Sequence, residues 1–358
     1  MIYKNAEKPF LILDENRCKK NIERIAKRSK MFQCEFRPHF KTHQSITVGK
    51  WFRDFGVTGI TVSSPGMAHY FVKDGWDDIT IAFPFYPAQI PALKGLENKS
   101  KLRLFVNNIE HLEILDRELK EPFHFMIEID SGYGRSGISI DAKHHINSLV
   151  EKSKGLSSSN FYGFYIHDGR TYHVSGKTEV EMAIEPSLSA FNELKSLYPS
   201  ARLSLGDTPS ASLSDNLVRV DEITPGNLVF YDWMQVQIGS CSVDDIALFA
   251  VLPVAQIKDH NNSAILHGGA AHLSKDFVLE KGNKNFGQCV DYTPGEEVAI
   301  HEKSYISALS QEHATLPNLH DKSLNTVIVA PIHSCLTANL FDHYLTPQGK
   351  RIEKRVLS

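Results

Sequence analysis

The sequence predicts an α/β protein: a (β/α)8 barrel with a second, mostly β C-terminal domain. Three observations carry this expectation. Short apolar runs alternate with amphipathic segments eight times between about residue 33 and residue 231. Strict alternation implies parallel strands, and eight of them over roughly 220 residues suit a closed barrel. After about Trp233 the alternation gives way to β-like runs broken by Gly, Asn and Asp. The alternative is an open doubly wound sheet, which the lack of a Gly-x-Gly-x-x-Gly after the first strand weakens.

The elements follow in order. Pro9 to Asp14 reads as a short apolar strand ending at an N-cap, and Asn16 to Lys30 as a helix with Ile22, Ile25 and Ala26 on one face. The barrel strands are then Gln33–Phe40, Gly59–Ser64, Asp78–Phe83, Leu102–Val106, Phe123–Asp130, Phe161–His167, Leu203–Gly206 and Leu228–Tyr231. Between them lie helical segments at Gln44–Phe55, after Pro65, after Pro87, from the cap Asn107 to Leu119, at Asp141–Glu151 and at Thr178–Leu197. Ala247–Lys258, Ser263–His267 and Val298–His301 are β-like. The expected domains are residues 12–233 for the barrel and 234–358, with 1–11, for the β domain.

With 358 residues, 42% hydrophobic and 23% charged, the chain has the composition of a soluble globular protein. A formal charge of -3 gives no support to binding nucleic acid or an anionic membrane. The five cysteines are odd in number and scattered, which suits free thiols in a reducing compartment. The opening residues lack the apolar run of a signal peptide, and no stretch is apolar enough to span a bilayer, so the expected location is cytoplasmic.

Barrel enzymes place their chemistry at the carboxyl ends of the strands. There the first strand ends in Arg37-Pro38-His39-Phe40-Lys41-Thr42-His43. A lysine between two histidines reads either as a basic loop for an anion or as a Schiff-base lysine kept partly deprotonated by burial and neighbouring cations. Arg135 ends strand five; it is either an oxyanion-recognising arginine or an ordinary salt-bridge residue. His167 and Tyr172 follow strand six. Gly206 and Thr208 after strand seven, with the Gly226-Asn227 turn beside them, offer backbone N–H groups and a hydroxyl suited to a phosphate.

In the β domain, Pro331-Ile332-His333-Ser334-Cys335 reads as a strand. Residues i and i+2 of a strand face the same way, so His333 and Cys335 form either a two-ligand site for a soft divalent metal or a packed core pair. Gln311-Glu312-His313 has no assigned role.

Together these residues resemble the D-threonine aldolase and D-serine dehydratase family, relatives of alanine racemase in the fold-type III pyridoxal-phosphate group. Arg-Pro-His-x-Lys-Thr-His and the pair His333 and Cys335 carry the resemblance most specifically, and it runs nearly end to end. It implies a homodimer, pyridoxal 5'-phosphate on Lys41, and a divalent metal, zinc or manganese, at His333 and Cys335. It implies that Arg135 bonds the cofactor's phenolic oxygen, that His167 and Tyr172 pack against the cofactor or bond it, and that Gly206, Thr208, Gly226 and Asn227 hold its phosphate. Two positions depart from the family pattern. Gln44 stands where lysine is frequent, and Thr224 where alanine racemases place an arginine on the pyridine nitrogen; a hydroxyl there supplies no strong positive charge.

The expected activity is a metal-assisted lyase reaction on a D-β-hydroxy amino acid, either elimination or aldol cleavage. In elimination Lys41 takes the α-proton and the metal assists the departing hydroxyl. The alternatives are an amino-acid racemase, with Tyr292 or Tyr305 as the second acid–base group, and a non-catalytic cofactor-binding protein.

Overall fold

In the computed structural model of this chain, Tyr3 and residues 6–96, 100–258, 260 and 262–356 are described. They form two compact units. One comprises Arg24–Lys41 and Lys50–Gly226; the other comprises Met1–Glu23, Thr42–Gly49 and Asn227–Ser358.

The strand β1 (Phe10–Leu13) belongs to the second unit. The first unit is built on β2 (Glu35–Phe36), β3 (Ile60–Val62), β4 (Asp78–Pro84), β5 (Lys101–Phe105), β6 (Phe123–Asp130), the short β7 (Ile138–Ser139), β8 (Ser159–His167), β9 (Arg202–Gly206) and β10 (Glu222–Ile223). The parallel strands follow the order β2-β10-β9-β8-β6-β5-β4-β3, with β7 paired only to β6. The ring closes where His39 bridges Thr61: Phe40 N–H donates to the Thr61 carbonyl (2.8 Å) and Thr61 N–H to that of Pro38 (2.9 Å). This is the expected (β/α)8 architecture.

The eighth strand is not where the pattern put it. Leu228–Tyr231 is not a strand; Asn227–Val229 forms a 3-10 turn, and the strand is Glu222–Ile223. Its two residues are too few to show a period, and its glutamate hides it. Glu222 is buried because its carboxylate accepts from Arg37 Nε (3.0 Å), Arg103 Nη1 (2.9 Å) and Ser204 Oγ (2.6 Å). Arg37 also reaches Asp78 (2.8 Å) and Glu35 (3.1 Å), so the amino ends of the strands are tied by a buried ion network. Gly59 lies against the Arg37 guanidinium, and a Cβ there would overlap it.

Side chains cap the starts of several helices. Ser64 caps Pro65–Val72 and Asp207 caps Thr208–Leu213. The cap of Ile109–Glu118 is Asn108, one residue later than expected; Asn107 instead accepts the Glu128 N–H through Oδ1 (3.2 Å).

The second unit is mostly β. Its strands are β11 (Leu248–Lys258), β12 (Ser263–His267), β13 (Val278–Glu280), β14 (Asn283–Asn285), β15 (Gly287–Asp291), β16 (Ala299–Tyr305), β17 (Ala308–Leu309), β18 (His313–Leu316), β19 (Thr326–Pro331), β20 (His343–Leu345) and β21 (Arg351–Glu353). The main sheet runs β16-β15-β19-β11-β1-β20-β21, and β1 pairs antiparallel with β11, Phe10 opposite Val251. β12 pairs with the far half of β11 and with β18. Ile12, Phe249, Val251, Val290 and Tyr292 form its core. Among the described residues no helix is long and apolar enough to cross a membrane, and all five cysteines are free.

Candidate active site

In the barrel unit the first strand delivers Lys41 to the carboxyl end of the ring. Phe40 anchors it, packed on Phe52, Phe71 and Trp76 with ring centroids 4.9–5.2 Å apart. The Lys41 backbone N–H donates to His39 Nδ1 (3.3 Å), and His39 N–H donates to the Pro225 carbonyl (3.0 Å), beside Gly226. The expected burial of Lys41 is not found: its side chain is exposed. Nor is His43 a neighbouring cation. It lies buried in the second unit, where burial pushes its pKa down to about 3, against a hydrogen bond from Ser45 N–H, and the ring is neutral.

Lys41 does lie near other charge. His167, at the end of β8, has a pKa pushed down to about 3 by burial and by the positive charges of Arg135 and Lys41. It is therefore a neutral ring, set between Tyr133 and Tyr172 at centroid distances of 6.2 and 6.4 Å. Arg135 is exposed and stands 3.7 Å from Glu128 Oε1, which also accepts from Ser136 Oγ (2.8 Å). Burial raises the Glu128 pKa, and its Oε2 has no hydrogen-bond partner among the described residues.

The turn after β9 brings Tyr172 to Thr208: Thr208 N–H donates to the Tyr172 hydroxyl (3.3 Å). Thr208 Oγ1 is buried with no partner among the described residues. A buried orphan hydroxyl at the first turn of a helix fits an anionic group such as the cofactor phosphate. Packing also requires glycine at Gly206. A Cβ there would overlap the Tyr165 hydroxyl and crowd Thr224 Oγ1.

Behind this turn lies a polar network that local sequence did not reveal. Thr171 Oγ1 donates to Asp207 Oδ1 (3.2 Å), and Asp168 is paired with Arg170 (2.6 Å) and Ser187 (2.7 Å). Burial, with the Asp168 charge adding, pushes the Asp207 pKa up to about 7 against hydrogen bonds from Ser210 and Thr171.

In the second unit His333 and Cys335 do touch, but not on a strand. His333 is the extended residue before the helix Ser334–Asn339, and Cys335 lies in that helix's first turn. A three-residue window does not separate strand alternation from a cap followed by a helix. His333 Nδ1–H donates to Asp276 Oδ2 (2.8 Å). Burial opposes its protonation, yet Asp276 and Cys335 prevail and push its pKa up to about 11. The Cys335 pKa is lowered: burial raises it, and His333 and Thr42 outweigh burial. Thr42 Oγ1 is 3.2 Å from Cys335 Sγ. A thiolate and an imidazole oriented by a carboxylate suit a borderline-soft divalent metal.

The Asn227 side chain belongs with this pair. Its Nδ2 donates to Asp232 Oδ2 (2.6 Å) and Ser334 Oγ (3.1 Å), with Cys335 Sγ at 3.6 Å. Only the Asn227 backbone remains for a phosphate. Asp276 was missed because it lies 57 residues from His333 and nothing local marks it. Tyr292, a candidate for a racemase's second face, is committed elsewhere: its hydroxyl donates to Asp14 Oδ2 (2.7 Å) and its ring stacks on Phe249.

A parallel barrel with a strand-end lysine and a separate β unit with a His–Cys pair define the class. The chain belongs to the alanine racemase N-terminal domain family, which matches residues 13–232, and residues 247–346 match the putative serine dehydratase domain. It thus falls in the fold-type III pyridoxal-phosphate group, among D-serine dehydratases and D-threonine aldolases. It is 29% identical to the D-serine dehydratase of Dictyostelium discoideum over 95% of this chain and 93% of that one. It is similar to the D-threo-3-hydroxyaspartate dehydratase of Delftia sp., whose solved structure has 25% identity, a TM-score of 0.89 and 99% coverage of both chains. The D-threonine aldolase of Filomicrobium marinum, at 18% identity and a TM-score of 0.80, shares the fold.

Proposed function

We propose that this protein is a pyridoxal-phosphate-dependent, metal-assisted lyase that eliminates water from a D-β-hydroxy amino acid of the D-serine type. The observation that carries the reading is the exposed Lys41 amine at a barrel strand end, beside the fixed charge of Arg135 and the neutral His167. When bound, the cofactor withdraws electrons from the substrate Cα, and a divalent metal, zinc or manganese, acts as Lewis acid on the β-hydroxyl.

The chain's own groups supply the rest. Lys41 Nζ would hold the cofactor and, once displaced by the substrate amine, would take the proton from Cα. Arg135 would bond the phenolic oxygen. His167 and Tyr172 would pack against the ring, and as a neutral ring His167 would add no charge there. Thr208 Oγ1 and the backbone at Gly206, Gly226 and Asn227 bind the phosphate. Thr224 would meet the pyridine nitrogen with a hydroxyl, which supplies no full positive charge, so assistance at Cβ would matter more and racemisation would be disfavoured. His333 Nε2 and Cys335 Sγ bind the metal, with Asp276 fixing the imidazole through Nδ1. Residues 12–233 form the cofactor domain, residues 234–358 with 1–11 the metal domain, and the working unit is a homodimer.

Product analysis with D-serine and D-threonine, with and without chelator, tests this. Pyruvate and ammonia from D-serine, lost on chelation, are expected. Glycine and acetaldehyde from D-threonine as the main products would replace elimination by aldol cleavage, and chelator-resistant turnover would overturn the metal's role.

A further inference from the structure

Gln311-Glu312-His313 has no part in the reaction described, yet Glu312 belongs to a second group of ligand-type side chains. His267 ends β12, His272 lies on the short helix Ala270–Leu273, and Glu312 immediately precedes β18. One ligand atom from each lies within 4.8 Å of the others. Glu312 Oε2 is 3.8 Å from His272 Nδ1 and 4.0 Å from His267 Nε2.

The backbone sets this arrangement. β12 and β18 pair in register, with Leu266 opposite Ala314. Beyond the ladder the two turns stay locked. Gly268 N–H donates to the Glu312 carbonyl (2.9 Å), Ala270 N–H to that of Ser310 (2.8 Å) and Ala271 N–H to that of Gln311 (3.0 Å). A Cβ on Gly269 would overlap the Ser310 and Gln311 carbonyls, so this approach requires glycine. The Gly-Gly turn and Gln311-Glu312 are thus two halves of one frame.

The side chains present have the chemistry of metal ligands. His272 Nδ1 is buried and has no hydrogen-bond partner among the described residues. Two imidazoles and one carboxylate are an open zinc set. Bonds of about 2.0–2.1 Å place tetrahedral ligands roughly 3.4 Å apart; the Glu312 contacts at 3.8 and 4.0 Å are close to that spacing, and the two imidazole atoms lie within 4.8 Å. A cavity of about 710 Å³ lined by His267, His272, Asp342 and His343 leaves the remaining positions to water or a small anion.

We propose that His267, His272 and Glu312 bind a divalent transition metal of the zinc class, as a site with its own ligand set beside that of His333 and Cys335. The two sites differ in one measurable respect: only the latter contains a thiolate.

The test is titration of metal-stripped, full-length protein with Co²⁺. The expected result is two equivalents per chain, one giving the near-ultraviolet thiolate-to-cobalt band and one giving only weak visible bands. In His333→Ala/Cys335→Ala one equivalent without the thiolate band remains. Adding His272→Ala or the nearly isosteric Glu312→Gln lowers its affinity beyond the roughly 10–100-fold typical of losing an outer partner, with circular dichroism unchanged. A single equivalent carrying the thiolate band in the unmodified protein, or band-free binding that survives Glu312→Gln, overturns the proposal. Neither outcome depends on pyridoxal phosphate or lyase activity, so failure here and failure of the proposed reaction are distinguishable.

Discussion

Arg37 and Lys41 lie four residues apart on the first barrel segment and meet opposite surroundings. Arg37 is fully buried, with carboxylates of Glu35, Asp78 and Glu222 within 3.1 Å. Lys41 is exposed at the other end of the ring, near Arg135 and a histidine that their charges help keep neutral. The contrast separates two uses of charge. At the amino end Arg37 and Arg103 are paired with Asp78 and Glu222, which makes the network structural. At the carboxyl end Glu128 Oε2 and Thr208 Oγ1 are buried without partners among the described residues, an arrangement that awaits a ligand.

The largest effect expected from breaking this contrast is at Lys41. Lys41→Ala should lower lyase turnover by about 10³-fold or more, the range of losing a positioned acid–base group. Because the side chain is exposed, the melting temperature should barely move; a parallel melt and steady-state assay checks both.

Glu222→Ala should do the reverse. Removing one partner of a buried ion network costs roughly 3–5 kcal/mol, which denaturant unfolding will read directly. A loss below about 1 kcal/mol would mean that Asp78 and Glu35 satisfy Arg37 without it.

Thr208→Val sharpens the comparison. It removes a hydroxyl with no described partner, so stability without cofactor should hold. Cofactor affinity, followed by fluorescence titration, should fall roughly 10–100-fold, the range of one hydrogen bond to a charged group. Unchanged affinity would take Thr208 out of the phosphate site.

A pH-dependent effect concerns Asp207. Its folded pKa is raised to about 7 from an ordinary 3.8, so the folded state holds the extra proton between those values. Its stabilising contribution is complete below about pH 4, declines as pH rises toward 7 and is flat above. Asp207→Asn, which keeps a capping oxygen, should abolish that part of the slope in unfolding measured from pH 4 to pH 8. An unaltered slope would show that Asp207 titrates normally.

Much of this was legible in the sequence because periodicity reports burial. The long strands Asp78–Pro84, Phe123–Asp130 and Ser159–His167 are apolar over several residues and were found. Glu222–Ile223 was not, since its glutamate is buried by partners far away in sequence, while apolar Leu228–Tyr231 is buried without being a strand. The same limit applies at the sites. Lys41, His167 and Thr208 stand at strand ends, where position alone marks them. Asp276 acts only through His333, and Glu312 acquires neighbours only when the Gly268-Gly269 turn docks on it. Such partners follow from tertiary packing, which no local pattern encodes.

Borohydride reduction of the holoprotein, followed by peptide mapping, asks whether the carboxyl end of the barrel holds pyridoxal phosphate on Lys41. One cofactor per chain is expected, fixed on the peptide containing Lys41, and none on Lys41→Ala. Cofactor fixed on another lysine, or a Lys41 peptide left unmodified with cofactor in excess, would contradict it.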